Sequence, residues 1–217
     1  RDLSKWKLVR LAEAGWIMSL VKIDLDGDGR DDLVYSDRKG GNSGVFVMKK
    51  IPRAPWFDKT QLLGASGEEV MFLDVVDLDG DEKLDIAAAV RPDKVLYLYQ
   101  PASPEGNWRQ DSQALGVPSD RFGGSKAIRV ADMSLDGKSK IVITCEQAKG
   151  ELSGIMMVNY HPGLLLGNLH HTDISGPEGV KYDRMELIDL DGDGDLDVMT
   201  CEERASLGVF WYENPAK

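Results

Sequence analysis

The sequence predicts an all-β fold, a small β-propeller with four blades of four antiparallel strands. Three observations lead to this prediction: an acidic loop motif occurs four times, its copies are evenly spaced, and short apolar segments flank every copy. The first aspartates of the loops, Asp24, Asp77, Asp132 and Asp189, are 53, 55 and 57 residues apart. Repeats of this length with several strand-like segments are typical of propeller blades.

The segments follow the same order in each repeat. An apolar strand leads into the acidic loop, and a second strand, a polar loop, a third strand and a fourth strand come after it. In the second repeat we predict strands at Val70–Val75, Ile86–Val90, Val95–Tyr99 and Trp108–Ala114, separated by Asp- and Gly-rich turns.

The last repeat has only three such segments, the third being Gly208–Tyr212. We expect Trp6–Leu11 to supply its fourth strand, which would close the ring and remove two exposed sheet edges. The prediction is therefore one propeller domain over residues 1–217. Its blade units lie at about 12–62, 63–115 and 116–175, and the last blade combines 176–217 with 1–11.

The acidic loops have the residue pattern of a calcium site. In Asp24-Leu-Asp26-Gly-Asp28-Gly-Arg-Asp31-Asp32, carboxylates stand at the first, third, fifth and ninth positions, and glycines permit a tight turn. Calcium binds about six to eight oxygens, and a peptide carbonyl can fill a remaining position. We expect about three calcium ions in the three complete loops. The candidate ligands are Asp24, Asp26, Asp28, Arg30, Asp32, Asp77, Asp79, Asp81, Lys83, Asp85, Asp189, Asp191, Asp193, Asp195 and Asp197.

The loop that begins at Asp132 differs from the others. It has Ser134 at the third position and Lys140 at the ninth, so an ammonium group would replace a ligand oxygen. We expect this loop to be empty or to bind calcium weakly. An EF-hand would instead require flanking helices and a Glu at the twelfth position. The twelfth residues of the complete loops are Tyr35, Ala88 and Thr200.

With these motifs the chain resembles the FG-GAP or VCBS-type repeats that form the propeller of integrin alpha chains. The resemblance rests on Asp-x-Asp-Gly-Asp-Gly followed by Asp and a short apolar strand, and on the segments Gly208–Pro215 and Gly44–Met48. It covers nearly the whole chain and implies a calcium-stabilised propeller. Because family propellers often have more blades, four copies indicate either a small closed ring or a segment of a larger one.

The composition is acidic, with 37 Asp and Glu against 26 Lys and Arg and a formal net charge of −11. Many of these acids are the proposed calcium ligands, and we expect no nucleic-acid partner. No apolar run reaches the length of a membrane span, so we expect no membrane insertion, and we expect a monomer with Cys145 and Cys201 as free thiols. Loops of this kind usually need more calcium than the cytosol holds, which favours a periplasmic, cell-surface or secreted location.

The loops between second and third strands, and those between blades, should gather at the face opposite the acidic loops. They carry both signs of charge and one tryptophan. An aromatic ring suits a sugar face, and Arg and Lys suit acidic groups. The candidate ligand-binding residues are Trp16, Arg38, Lys39, Lys126, Lys181, Arg184 and Arg204.

Two functions remain open from the sequence. One is a noncatalytic binding or scaffold module that recognises a glycan or a protein through this loop face. The other is a carbohydrate-active enzyme, a hydrolase or a lyase, that uses acidic and basic residues of the same face. The candidate acids for catalysis are Glu202, Glu203, Glu146 and Asp37.

Overall fold

The computed structural model describes residues 2–103, 106–161 and 169–216. These residues form β-strands and one 3₁₀ turn at Leu3–Lys5, and no α-helix is found among them. The strands are β1 (Ile17–Ile23), β2 (Asp32–Asp37), β3 (Gly44–Met48), β4 (Gln61–Gly64), β5 (Val70–Val76), β6 (Asp85–Val90), β7 (Lys94–Tyr99), β8 (Arg109–Gly116), β9 (Gly124–Ala131), β10 (Lys140–Glu146), β11 (Ile155–Asn159), β12 (His171–Asp173), β13 (Tyr182–Ile188), β14 (Asp197–Glu202) and β15 (Gly208–Tyr212).

The strands form four antiparallel sheets arranged as the blades of a β-propeller, which confirms the predicted fold class. The first blade contains β1–β4, the second β5–β8, the third β9–β12 and the fourth β13–β15. Within each blade the strands pair in chain order. Every acidic loop therefore joins the first strand of a blade to the second, at one common face of the propeller.

The second strand of each blade lies deep in the molecule. All residues of β6 and β10 are buried, because sheets pack against both of their faces. Their sequences, DIAAAV and KIVITCE, are accordingly apolar over most of their length instead of alternating.

The first strand of each later blade packs on the blade before it. Leu73 of β5 inserts among Val34, Val45 and Val47 of the first blade and is 1% exposed. Ile128 of β9 and Met185 of β13 occupy the same position on the second and third blades, at 0% and 1% exposure. The hydrophobic core is thus divided among three interfaces between blades.

The predicted closing strand is wrong. Residues Trp6–Leu11 form no strand, and the fourth blade has three strands in the described part of the chain. The physical reason is that the inner strands of the first and last blades do not pack on each other in the described part of the chain. Neighbouring inner strands pack on each other, whereas β13 and β1 form no comparable contact among the described residues. The edge of β15 and residues 6–11 are therefore not brought together within one chain.

Two further expectations can be compared with the fold. Cys145 and Cys201 are both free, as predicted. Within the described part of the chain, no helix has the length and apolar character that a membrane crossing requires.

Candidate functional site

The four acidic loops share one backbone conformation. Their fourth and sixth residues have positive φ in every copy, as at Gly27 (74°) and Gly29 (82°) of the first loop. Glu82 and Leu135 hold these positions at φ values of 68° and 53°, in a region that normally favours glycine. The loop shape is therefore kept even where the glycine is lost.

The first aspartate of each loop organises the turn. In the last loop, Asp189 accepts hydrogen bonds from the backbone N–H groups of Gly192 at 2.7 Å and Gly194 at 3.0 Å. In the first loop, Asp24 accepts bonds from Asp28 at 3.0 Å and Gly29 at 2.8 Å. These bonds bend the chain so that the next carboxylates turn toward the first.

Three loops bring three carboxylates together. Within each group, one oxygen of each side chain lies within 4.8 Å of the others. The residue types fit a hard cation such as calcium, which prefers carboxylate oxygens. The groups are Asp24, Asp26 and Asp28; Asp77, Asp79 and Asp85; and Asp189, Asp191 and Asp193.

One lysine contacts the first of these groups, and another contacts an aspartate of the second loop that lies outside its group. The Nζ atom of Lys49 lies 2.9 Å from Oδ2 of Asp26. In the second loop, a hydrogen bond from Lys83 holds the pKa of Asp81 below its ordinary value. Asp81 thus faces Lys83, while Asp85 takes part in the acidic group of that loop. A bound ion at the first loop would compete with Lys49.

The ninth aspartate of each complete loop is buried, at 1% exposure for Asp32, Asp85 and Asp197. Asp85 accepts hydrogen bonds from the backbone N–H groups of Leu78 at 3.0 Å and Gln100 at 2.7 Å. Burial raises the pKa of Asp85, while these two hydrogen bonds oppose that change. The ninth carboxylate therefore ties the loop to the residue that follows the third strand.

The loop at Asp132 contains its own cation, as predicted. The Nζ atom of Lys140 lies 3.1 and 3.2 Å from the two carboxylate oxygens of Asp136, and Lys140 is 6% exposed. This ammonium group neutralises the fifth position of the loop. An ammonium group therefore lies where a bound cation would otherwise interact with Asp136.

At the opposite ends of the strands, charged side chains form a chain of ion pairs across the blades, here called the charge ladder. Arg38 of the first blade contacts Glu69 of the second, with Nε 3.1 Å from Oε2. Arg91 lies 3.7 Å from the same carboxylate, and its Nε lies 2.9 Å from Oε1 of Glu146 in the third blade.

The charge ladder continues into the fourth blade. Lys126 is 4% exposed, and its Nζ lies 3.1 Å from Glu146 and 3.0 Å from Asp183. Lys181 lies 3.8 Å from Asp183 and also pairs with Glu203. Most of the charges that the sequence predicted at this face therefore pair with one another.

Two of the candidate catalytic acids hold backbone in place. The Glu202 carboxylate accepts N–H bonds from Val180, Lys181, Arg204 and Ala205 at 2.8 to 3.1 Å. Burial by itself would raise the pKa of this group, but the backbone donors outweigh it and lower the pKa to about 2.

Asp37 has the same role in the first blade. It accepts N–H bonds from Gly15 at 2.6 Å, Trp16 at 2.7 Å and Lys39 at 3.2 Å. A Cβ atom at Gly15 would lie 1.5 Å from the Lys39 carbonyl oxygen, so this close approach requires glycine. One sequence signal links the two acids, since Asp37 and Glu202 each stand five residues after a ninth-position aspartate.

Three predicted binding residues come together at Trp16. Its ring is 51% exposed, with the Arg38 guanidinium 5.2 Å and the Lys39 ammonium 4.8 Å from the ring centroid. Cations at these distances interact favourably with the ring face. This group, Trp16 with Arg38 and Lys39, is here called the tryptophan site.

The other predicted binding residues lie apart from the tryptophan site. Lys126 and Lys181 belong to the charge ladder, and Arg184 pairs with Glu186, its Nε 2.7 Å from Oε1. Arg204 is exposed on the fourth blade. Because the first and fourth blades do not pack together, the structure does not combine the seven candidates into one site.

Comparison with protein-family models and with curated proteins found no match for this chain. The fold and the sites nevertheless define a structural class. The chain is a four-bladed β-propeller with acidic groups in three of its loops and a charge ladder at the opposite face. Membership of the FG-GAP or VCBS-type family stays a prediction.

Proposed function

We propose that this protein is a calcium-stabilised propeller that serves as a binding or scaffold module. Its ligand is a glycan or a protein, bound at the face opposite the acidic loops. The observation that carries this proposal is the combination of two features: three acidic groups at one face and the exposed tryptophan site at the other.

Electrostatics support calcium binding. Carboxylates this close repel each other by roughly 1 to 4 kcal/mol per pair, the lower value applying in bulk water and the upper near a protein surface. A divalent cation would reverse the sign of this interaction and couple metal binding to folding. The three groups would each hold one ion through the carboxylates that converge there, with peptide carbonyls as further oxygen donors.

Chelation tests this part of the proposal. We expect EGTA to lower the melting temperature by several degrees relative to excess calcium, because the ion binds only the folded loops. Asp191→Ala should reduce the calcium-dependent gain, and Asp136→Ala should leave it unchanged because Lys140 already neutralises that loop. Scanning calorimetry with and without calcium measures both. Identical melting curves in EGTA and calcium would contradict calcium binding.

The calcium requirement also supports an extracytoplasmic location. Loops with dissociation constants well above the micromolar range fill only where calcium is abundant, outside the cytosol. Isothermal titration of the chelated protein measures this constant. A dissociation constant below about 1 µM would argue against the proposed periplasmic, cell-surface or secreted setting.

The tryptophan site supports ligand binding. Trp16 presents a half-exposed ring face, and Lys39 is a cation in contact with it outside the charge ladder. An aromatic face with adjacent cations suits a sugar ring that carries an acidic group, or an acidic protein surface. The paired charges along the ladder hold this face rigid.

The contacts of the acids weigh against an enzyme. A general acid needs a pKa near the working pH, whereas the pKa of Glu202 is lowered to about 2. Asp37 is occupied by backbone N–H donors, and Glu146 lies between Arg91 and Lys126. These three acids are therefore engaged in structural contacts.

A glycan array in calcium tests the binding face. We expect acidic saccharides to bind and Trp16→Ala to weaken binding at least about tenfold, equivalent to roughly 1.4 kcal/mol. Trp56→Ala is the matched control, because Trp56 is similarly exposed at 53% and also contacts a lysine, but lies in the β3–β4 connection. Binding that is equally sensitive to both variants would remove the tryptophan site from the proposal.

Cleavage assays test the alternative that the protein is a carbohydrate-active enzyme. If no saccharide binds, and polysaccharides are cut by the wild type but not by Glu202→Gln, the binding-module proposal is wrong. If neither binding nor cleavage of saccharides occurs, the glycan part of the proposal is wrong, and only a protein ligand whose affinity falls in Trp16→Ala would support the rest.

A further inference from the structure

We propose that two copies of this chain associate head to tail, the first blade of each packing on the fourth blade of the other. Together they would form one closed ring of eight blades. This inference is independent of the proposed ligand. It also replaces the monomer expected from the sequence.

The open face of the fourth blade carries exposed apolar residues where the other blades are covered. Val209 and Trp211 of β15 are 80% and 37% exposed. When the third strands are aligned by their pairing with the second strands, Val209 and Trp211 correspond to Val45 and Val47 of β3. Those two valines are 0% and 1% exposed and are covered by Leu73 of the next blade. The fourth blade thus presents the surface on which a further inner strand packs.

The first blade presents the complementary feature. Leu20 of β1 is 65% exposed, whereas Leu73, Ile128 and Met185 at the equivalent positions are at most 1% exposed. Each of those three residues is inserted into a preceding blade. Leu20 holds the position of an inserted residue, but no blade covers it among the described residues.

The segment before β1 fits the same interface. β4 ends six residues before β5 begins, and Leu11 likewise lies six residues before Ile17. Residues 6–11 therefore have the spacing that β4 has from β5, which is the shortest of the three such connections among the described residues. Trp6, Leu8 and Val9 in this segment are at least 67% exposed, and β15 pairs on one side only among the described residues.

A second copy would cover the open face of the fourth blade, the exposed Leu20 and the free edge of β15. Its first blade would place Leu20 on Val209 and Trp211, and its residues 6–11 would pair with the free edge of β15. The same contacts would form a second time across a twofold axis along the channel, so that no blade face stays open. Covering a free strand edge and exposed apolar residues is favourable in water.

The hydrogen bonds between blades indicate which residues would meet. The Ser36 hydroxyl donates to the Met71 carbonyl of the next blade at 2.7 Å, and the Thr144 hydroxyl donates to the Asp183 carbonyl at 2.7 Å. Cys201 occupies the position of Ser36 in the fourth blade. Met18 holds the position in the first blade that Met71 and Asp183 hold in the second and fourth. Cys201 would therefore lie beside Met18 of the other copy.

Light scattering after size exclusion tests the assembly. We expect the 217-residue chain to have twice the mass of one copy. Leu20→Glu and Val209→Glu should each weaken association at least about tenfold, and both sites are exposed enough to leave the fold of one copy intact, which circular dichroism checks. Leu135→Glu is the control, since Leu135 is 46% exposed in the loop of the third blade.

Two further measurements decide how the copies meet. A mixture of Leu20→Glu and Val209→Glu retains one unaltered interface and should associate more strongly than either variant alone. In Met18→Cys, mild oxidation should link the introduced thiol to Cys201 of the other chain and give a dimer on a non-reducing gel, and adding Cys201→Ser should abolish this link. A monomer at about 100 µM, a dimer that both Glu variants leave intact, or a cross-link within one chain would each overturn the proposal.

Discussion

Glu202 and Asp37 illustrate how single residues at the loop face serve the fold. Each carboxylate accepts hydrogen bonds from backbone N–H groups in the segment that leads into the first strand of its blade. For Glu202 these donors favour the ionised carboxylate and lower its pKa. At the residue scale, these two acids at the loop face therefore have structural contacts, and the exposed tryptophan site is the feature proposed for ligand binding.

The pH dependence of stability follows from Glu202. Its pKa of about 2 in the folded protein lies below the ordinary 4.5, so its contribution is fully present above pH 4.5. The contribution is lost as the pH falls from 4.5 to about 2. We expect the difference in unfolding free energy between wild type and Glu202→Gln to shrink over this range, as measured by urea unfolding.

Glu203→Gln provides the control for this experiment. Glu203 is an exposed neighbour that pairs with Lys181 and has no buried backbone donors of this kind among the described residues. Its substitution should change stability little at any pH. If both variants respond equally to pH, Glu202 does not act as the anchor described.

At the scale of elements, each acidic loop combines a metal-type cluster with a structural anchor. The first aspartate bends the loop, and the ninth aspartate fastens it to the end of the third strand. The third loop keeps the same backbone with Lys140 in place of the ninth acid. The conformation of the loop therefore does not require a full set of carboxylates.

Asp85→Asn tests the role of the ninth position. The new amide keeps one acceptor but places an N–H₂ group toward a backbone N–H donor, so one buried hydrogen bond is lost. We expect a loss of about 1 to 3 kcal/mol of unfolding free energy, measured in EGTA so that calcium does not contribute. Asp31→Asn is the control, because Asp31 is exposed and pairs only with Lys22 among the described residues. Equal losses for both would contradict the anchoring role.

At the scale of the whole molecule, stability comes from repeated insertion of one apolar residue into the neighbouring blade. Each interface has its own buried cluster, and the charge ladder links the same blades at their rim. The strands of each sheet are local in sequence, so the interfaces between sheets decide whether the blades form one unit.

Leu73 and Leu20 form a matched pair for testing this packing. They hold the same strand position, but Leu73 is 1% exposed and Leu20 is 65% exposed. Leu73→Ala should cost about 3 kcal/mol of unfolding free energy because it leaves a cavity between two blades. Leu20→Ala should cost less than about 0.5 kcal/mol in protein dilute enough to be monomeric. Denaturant unfolding measures both, and similar costs would mean that the interface is not the main source of stability.

The sequence by itself determined the strands, the acidic loops and the division into four blades. These features depend on local patterns: apolar segments of strand length, Asp and Gly at fixed spacing, and a repeat of constant length. The replacement of a ligand by Lys140 was also predictable, because its Asp136 partner lies four residues away.

Only the tertiary structure decided which charges are paired, which carboxylates are buried and whether the ring closes. Arg91 and Glu146 are 55 residues apart, and nothing in their local sequence indicates that they meet. Whether the ring closes depends on the rotation of each blade relative to its neighbour, added over the three interfaces between blades. That sum is set by side-chain packing between blades and not by the pattern within any one of them.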